Sequence, residues 1–216
     1  KDYVKELIAA AAVKTDYSVN EIKNIRIAES KYAELTEEEK SAFTAAEIEK
    51  LNSLIAATSK YYTLKDLGGV FSSDIIGAPS WGAYSAELKN DKEGVIVFGV
   101  RGLAAADGAL YVSIFHDASV NASQASDGIA CMLRNTSSLK KLLLYNAGNK
   151  EIGFNGGVLS KTETYTFYYG YKLADDNSSL TVSVKVTDEG GAVVAEGTHE
   201  ITSFELQDFG SQTIES

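Results

Sequence analysis

Residues 164–186 read TYTFYYGYKLADDNSSLTVSVKV, and this stretch decides the fold of the second part of the chain. Aromatic residues and leucine occupy every second position from Tyr165 to Leu173, and leucine and valine do so from Leu180 to Val186. A period of two is typical of strands with one buried face, and the polar run between them favours a turn. Pairing Leu173 with Leu180 brings these apolar residues to one face of an antiparallel hairpin, whereas a shift of one residue would scatter them.

The composition is that of an ordinary globular protein. The 216 residues are 44% hydrophobic and 23% charged, with a net charge of −10. This charge argues against nucleic acids and anionic membrane surfaces as partners, and no apolar run reaches the ~20 residues that a membrane span needs. The single cysteine, Cys131, excludes an internal disulfide and a cysteine-rich metal site. Because the chain begins at Lys1 rather than Met, we expect a processed chain or a piece of a longer protein.

Residues 1–66 are predicted to form a small antiparallel helical bundle. Ser18–Glu21 and Thr36–Glu39 have the spacing of capping boxes at helix starts, and we expect the last helix to end near Tyr62. Apolar residues recur at helical spacing in three stretches, namely Val4, Leu7, Ile8 and Ala11, then Ile22, Ile25, Ala28 and Tyr32, then Ile48, Leu51, Leu54 and Ile55.

The run from Ala28 to Phe43 reads AESKYAELTEEEKSAF. It resembles the "A…Y..LT…K" helical units that lie between domains of large bacterial cell-surface proteins, although residues 43–46 replace their usual asparagine-led stretch. The resemblance implies a spacer role and an extracellular or cell-surface location.

Residues 67–216 are predicted to be mainly β. The glycine pair Gly68 and Gly69 marks the end of helical spacing. Many short strands without intervening helices predict an antiparallel β-sandwich or barrel. The strand-like runs, separated by glycine, asparagine and aspartate turns, are Gly94–Arg101, Leu110–Asp117, Ile129–Arg134, Lys141–Tyr145, the hairpin of residues 164–186, and Ala192–Phe204.

Four of these segments resemble the jelly-roll sandwich of concanavalin-like lectins, glucanases and laminin-G modules. The segments are GVIVFGVR at 94–101, ALYVSIF at 109–115, DGIACMLR at 127–134 and YTF at 165–167. The resemblance spans roughly residues 70–205. It implies a jelly roll that serves carbohydrate recognition or, in several enzyme branches, glycoside cleavage.

Strand parity predicts a binding surface for a glycan or polysaccharide. Sugar rings stack on aromatic side chains, and their hydroxyl groups accept hydrogen bonds from arginine. If the strands share one sheet, the outward-facing residues listed at the end of this paragraph form such a surface. If the strands belong to two sheets, the same residues are ordinary outward residues. Trp81, in a glycine-flanked loop, is either a further stacking platform or a plug at one end of the sandwich. When the more apolar set of alternating residues in each strand is taken as core, the residues that remain on the outer faces are Arg101, Tyr111, Arg134, Tyr145, Tyr168 and Lys172.

No catalytic or metal-binding motif is predicted. His116 and Cys131 share the apolar parity of their strands, which favours core positions. Retaining glycosidases of this fold carry an E-x-D-x-E run on one strand, and the chain contains none. Asp175–Asn177 and Asp188–Glu189 predict turns, with calcium coordination as the alternative, and no cofactor is expected.

The sequence therefore predicts a non-catalytic, carbohydrate-binding module of a bacterial extracellular or cell-surface protein, preceded by a helical spacer. One alternative is a glycoside hydrolase or lyase of the same fold, with carboxylates supplied by separate strands. The other is a structural or adhesive module that contacts a cell-surface protein.

Overall fold

A computed structural model describes residues 1–63, 66, 92–101, 108–114, 129–135, 140–146, 150–152, 163–176 and 178–202. Between residues 100 and 152 the described positions are those of the backbone. The chain divides into two compact units, Lys1–Tyr61 and Tyr62–Ser216. The first unit holds the helices and the second almost all of the strands.

The first unit consists of α1 (Asp2–Ala10), α2 (Val19–Ala33), α3 (Glu37–Lys40) and α4 (Ala45–Thr58). Its core confirms the predicted apolar stripes of the three longer helices. Phe43, between α3 and α4, adds a ring that the stripes did not predict, and this ring meets Tyr32 edge to face at 5.1 Å. The buried cluster comprises Val4, Ile8, Ala28, Phe43 and Leu51, against which Leu7, Tyr32, Leu35, Ile48 and Ile55 pack.

Capping boxes fix the starts of α2, α3 and α4. The predicted boxes at Ser18 and Thr36 are confirmed. A third box, which we did not predict, begins α4: the Thr44 hydroxyl accepts from the Glu47 amide at 3.2 Å, and the Glu47 carboxylate accepts from the Thr44 amide at 2.7 Å. Each box satisfies backbone donors that a helix start leaves without intrahelical partners.

Lys5 joins α1 to the connection between α3 and α4. Its ammonium group donates to the Ala42 carbonyl at 2.7 Å and to the Glu47 carboxylate at 3.3 Å. It also lies 5.0 Å from the centroid of the Phe43 ring. One cation therefore satisfies a carbonyl after α3 and the capping carboxylate of α4, which fixes the turn between them against α1.

A short strand, β1 (Tyr61–Thr63), lies inside the stretch predicted to be helical. The helix ends at Thr58, and the Tyr-Tyr-Thr run that follows has high strand propensity. Tyr61 is 1% exposed; its hydroxyl donates to the Thr15 carbonyl at 2.9 Å, and its ring packs edge to face against Tyr17. The division between the units thus falls at residues 61 and 62, a few residues before the predicted boundary.

Two sheets account for the described strands of the second unit. One sheet has five strands and includes β1 (Tyr61–Thr63), β2 (Glu93–Arg101), β7 (Thr164–Leu173), β8 (Ser179–Thr187) and β9 (Val193–Thr202), in the order β1-β2-β7-β8-β9. The other has four strands, β3 (Gly108–Ile114), β4 (Ile129–Asn135), β5 (Lys140–Asn146) and β6 (Lys150–Ile152), in the order β3-β4-β5-β6. Every strand-like run predicted from the sequence overlaps at least one of these strands, so the described part of the protein is sheet-rich with four N-terminal helices.

The predicted register of the β7–β8 hairpin is confirmed. Leu173 lies opposite Leu180, and the remaining apolar pairs follow in the predicted order, ending with Phe167 opposite Val186. All of these residues are buried, and Tyr169 is 0% exposed. The strand β2 extends the same face, because Phe98 lies opposite Phe167 and stacks on it at 5.2 Å between centroids.

Gly94 allows the ring of Tyr171 to lie across β2. The two residues are directly opposite, and a Cβ atom built on Gly94 would be 2.5 Å from a ring carbon of Tyr171. The ring thus covers the space that the glycine leaves, a known way of protecting glycine within a sheet.

We expect Tyr169→Ser to lower the free energy of unfolding by ~3–5 kcal/mol, because it removes a fully buried ring from the hairpin. Thr181→Ala, on the opposite face of β8, should cost less than ~1 kcal/mol. Urea melts of the two variants provide the comparison. Equal losses would contradict the assignment of faces.

Gly94→Ala should destabilise the sheet by ~1–3 kcal/mol, because the new methyl group must displace the Tyr171 ring from a packed face. Gly99→Ala is the matched control, since among the described residues no atom lies within 4 Å of the position that its methyl group would take. Thermal melts should show a loss for the first variant and little change or a gain for the control. Equal melting temperatures for the two variants would contradict the close approach of the Tyr171 ring.

The capping glutamates make the helical unit sensitive to acid. Hydrogen bonds from the Thr36 backbone and hydroxyl lower the pKa of Glu39 below its usual 4.5, and those from Thr44 do the same for Glu47. Burial raises the pKa of Glu21, but hydrogen bonds from Lys14 and Ser18 outweigh it, so that pKa is lowered as well. A lowered carboxyl pKa contributes stability that is present above the unfolded-state pKa and is lost as the pH falls through the folded-state pKa.

Helix unfolding, followed by circular dichroism, should therefore become easier as the pH falls below about 4.5. Glu47→Gln keeps an acceptor for the capping box without the titrating group. This variant should show a weaker dependence on pH over the same range. An unchanged pH dependence would show that the Glu47 box does not contribute.

Candidate functional site

The residues predicted to bind a ligand do not share one sheet. Arg101 and Tyr168 belong to β2 and β7 of the five-stranded sheet. Three others, Tyr111, Arg134 and Tyr145, belong to β3, β4 and β5 of the four-stranded sheet. Trp81 lies outside the described residues. The strands therefore match the alternative of two sheets, and two separate surfaces have to be considered.

On the five-stranded sheet, Tyr168 lies on the predicted outer face but is only 9% exposed. Its neighbours in register are Val97, which is 0% exposed, and Lys185. The Lys185 ammonium group lies 5.0 Å from the centroid of the Tyr168 ring. A cation–π contact thus occupies one face of the ring, and Tyr168 does not offer an open stacking platform.

Arg101 lies opposite Thr164 at the far end of the β2–β7 pairing. Register places its backbone on the same face as Tyr168, four residues along the strand pair. At a rise of about 3.4 Å per residue, the two positions are separated by roughly 14 Å.

The outer face of β9 carries two carboxylates that the catalytic motifs considered above do not include. Glu196 and Glu200 are exposed and lie four residues apart, with Thr198 between them. Thr198 stands where the glycosidase motif has its central aspartate. Glu196 and Glu200 therefore have the i, i+4 spacing of the E-x-D-x-E run but lack its central carboxylate, so the motif is incomplete in β9.

On the four-stranded sheet, register brings the three remaining candidates to one face. Arg134 lies opposite Ala109 and Lys141. Tyr111 lies opposite Met132, two residues along β4 from Arg134. Tyr145 lies opposite Ala130, two residues further along the same strand.

Directly opposed residues and every second residue along a strand share a face. Tyr111, Arg134 and Tyr145 therefore occupy one face, as strand parity predicted, with Lys141 and Glu151 beside them. Diagonal neighbours in a sheet are ~7–8 Å apart, so the set covers a patch of roughly 10 by 14 Å. The alternate positions, which form the opposite face, include Leu110, Val112, Cys131, Leu133, Leu142 and Leu144.

The two acidic turns have the structure predicted for them. A carboxylate oxygen of Asp176 accepts from the Ser178 amide at 3.0 Å, and one of Asp188 accepts from the Ala192 amide at 2.8 Å. Hydrogen bonds from the side chain and the amide of Ser178 lower the pKa of Asp176. Gly191 completes the second turn with φ of 84°, a conformation that favours glycine.

Within the described part of the chain, no group of three or more histidine, cysteine, aspartate or glutamate residues could hold a metal ion. His199 lies opposite Val182 on the apolar face of the five-stranded sheet and is partly exposed. His116 lies outside the described residues. None of the helices described here is long and apolar enough to cross a membrane.

A shallow depression runs along the outer side of α4, lined by Ala45, Ile48, Glu49, Asn52, Ser53 and Ala56. Small-molecule sites usually enclose a ligand and direct several polar groups at it. This depression is wide open, with a lining that is mainly apolar, so it does not have the form of such a site.

Comparison of the chain with protein-family models, with curated proteins and with solved structures finds no match.

Proposed function

We propose that this chain is a non-catalytic carbohydrate-binding module of a bacterial extracellular or cell-surface protein, with a helical spacer before it. The observation that carries the proposal is the register of the four-stranded sheet. It places two tyrosines and an arginine, Tyr111, Tyr145 and Arg134, on one face. The patch has roughly the size of one or two sugar rings.

The chemistry of this patch suits a sugar. Tyrosine rings offer surfaces against which the C–H faces of a pyranose can stack. An arginine guanidinium group donates several hydrogen bonds in a fixed geometry and can bind neighbouring hydroxyl or carboxylate groups. Arg101 and Arg134 are the only arginines after residue 66, so arginine is scarce in this acidic part of the chain, and Arg134 shares its face with two tyrosines.

The proposed architecture is a jelly-roll β-sandwich. In the five-stranded sheet, the side chains on the apolar face of β2, β7 and β8 are almost completely buried. The four-stranded sheet carries an apolar row on the face opposite to the tyrosines. A sheet with one apolar face needs a second layer to cover it, and two such sheets satisfy each other in a sandwich. The tyrosine and arginine face would then be the outer one.

A glycan array probed with the full chain tests the proposal, followed by calorimetry on any glycan that binds. Arg134→Ala and Tyr145→Ala should each weaken binding by ~1–3 kcal/mol, the range for a charged hydrogen bond or an aromatic anchor. The melting temperature should remain nearly unchanged. Lys172→Ala, on the five-stranded sheet, and Tyr3→Ala, in α1, are matched controls because both side chains are exposed; they should leave the affinity unchanged.

Other outcomes would identify the alternatives. Undiminished affinity in both variants would move the site to the Trp81 loop. Release of reducing sugar from a bound polysaccharide would indicate an enzyme. Binding to no glycan would favour a structural or adhesive module that contacts protein.

A further inference from the structure

The strand β9 is the last strand of the five-stranded sheet in the described part of the chain. It is ten residues long and pairs with β8 on one side. Alternate residues of such a strand direct their amide and carbonyl groups away from the neighbouring strand. These amide and carbonyl groups can form hydrogen bonds with a further strand that pairs at this edge.

One end of β9 is irregular and the remainder is regular. A register shift between Val186 and Thr187 leaves Val194 as an extra residue on β9. A bulge of this kind twists the strand and interrupts pairing locally. From Ala195 to Ile201 the register with β8 is continuous, so residues 195–201 can accept a partner strand along their length.

Two of the three exposed side chains of this regular part are acidic. Glu196 and Glu200 lie on its outer face with Thr198 between them, and all three are exposed. The strand contains no lysine or arginine. Lys185 of β8 lies opposite Glu196, and its ammonium group is 5.0 Å from the centroid of the Tyr168 ring in β7. β9 itself thus carries two carboxylates four residues apart and no lysine or arginine.

This charge pattern decides which partner fits. In antiparallel pairing of two copies of β9 with their faces aligned, the register of greatest overlap opposes Glu196 to Glu200. A shift of two residues places Glu196 or Glu200 opposite Thr198, and a further shift opposes Glu196 to Glu196 or Glu200 to Glu200. Directly opposed glutamates destabilise a strand pair, and no register of this pairing offers either glutamate a lysine or arginine on β9. A strand with lysine or arginine at two positions four residues apart would instead place a cation opposite each glutamate, at a Cβ separation of ~5 Å.

We propose that the edge of β9 binds an extended, basic segment of a partner protein by strand addition. Backbone hydrogen bonds between β9 and the segment provide the affinity, and the two glutamates select a segment with basic residues four positions apart. Thr198 pairs with the residue midway between the two basic ones. This site is on the five-stranded sheet, so it does not depend on the proposed glycan patch of the other sheet.

The test uses the full chain and the synthetic peptide acetyl-Thr-Lys-Val-Thr-Val-Lys-Thr-amide, which carries lysines four residues apart. Binding is measured by calorimetry at physiological ionic strength, where exposed charges more than ~8 Å apart are largely screened. Hydrogen exchange should slow in residues 195–201 when the peptide binds. A peptide N-methylated at alternate residues keeps the charge but loses the ladder donors, so it should not bind.

Two double variants with the same net charge are compared. Glu196→Lys combined with Glu200→Lys should weaken binding about tenfold or more, because two attractive pairs become repulsive, and it should bind a peptide with glutamate in place of both lysines. Glu38→Lys combined with Glu189→Lys changes two exposed glutamates elsewhere, and it should retain the affinity within about twofold. Melting curves establish that both variants fold.

Four results would overturn the proposal. Failure of the lysine peptide to bind the unmodified chain would exclude the site. Equal loss of affinity in both double variants would show a general charge effect. Undiminished binding of the N-methylated peptide would exclude strand addition. Self-association of the unmodified chain, with exchange protection at residues 195–201, would show that a second copy occupies the edge.

Discussion

The pairing of aromatic residues on β7 with valines on β8 organises the described part of the second unit. Because side chains alternate between faces, only one register buries all of these residues together. That register extends to both sides, since β2 brings Phe98 onto Phe167 and β9 brings Ile201 opposite Leu180. The outer face of the same strands is thereby fixed as well, including the positions of Lys185, Glu196 and Glu200.

The features that the sequence predicted correctly all depend on local periodicity. A period of two specifies both the strands and the register of the β7–β8 hairpin, because any slip exposes a complete apolar row. The spacing of Ser18 and Glu21 specifies a helix start because both partners of a capping box lie within four residues. The third box, at Thr44 and Glu47, has the same spacing and could have been predicted in the same way.

The features that the sequence did not predict depend on tertiary relations. Parity assigns a residue to a face of its strand but does not state which sheet the strand joins, so the single surface expected for the candidate residues became two. The predicted register of β7 and β8 places Lys185 opposite Tyr168. It does not show that the ammonium group lies over the ring, because that depends on the conformation of the lysine side chain. The strand β1 was not predicted because Tyr61–Thr63 is too short to show a period.

The division into two sheets keeps the two proposed recognition sites apart. The proposed sugar site draws on aromatic and arginine residues that share a sheet face, and the register of β3, β4 and β5 brings such residues to one face. A peptide strand needs backbone groups at a sheet edge and charges in alternating rows, and β9 provides these. Lys185 occupies the ring of Tyr168 and leaves the exposed acidic charge of the five-stranded sheet concentrated at its edge. The outer face near that edge therefore fits the proposed basic strand better than a neutral ring, and the two proposed sites lie on different sheets.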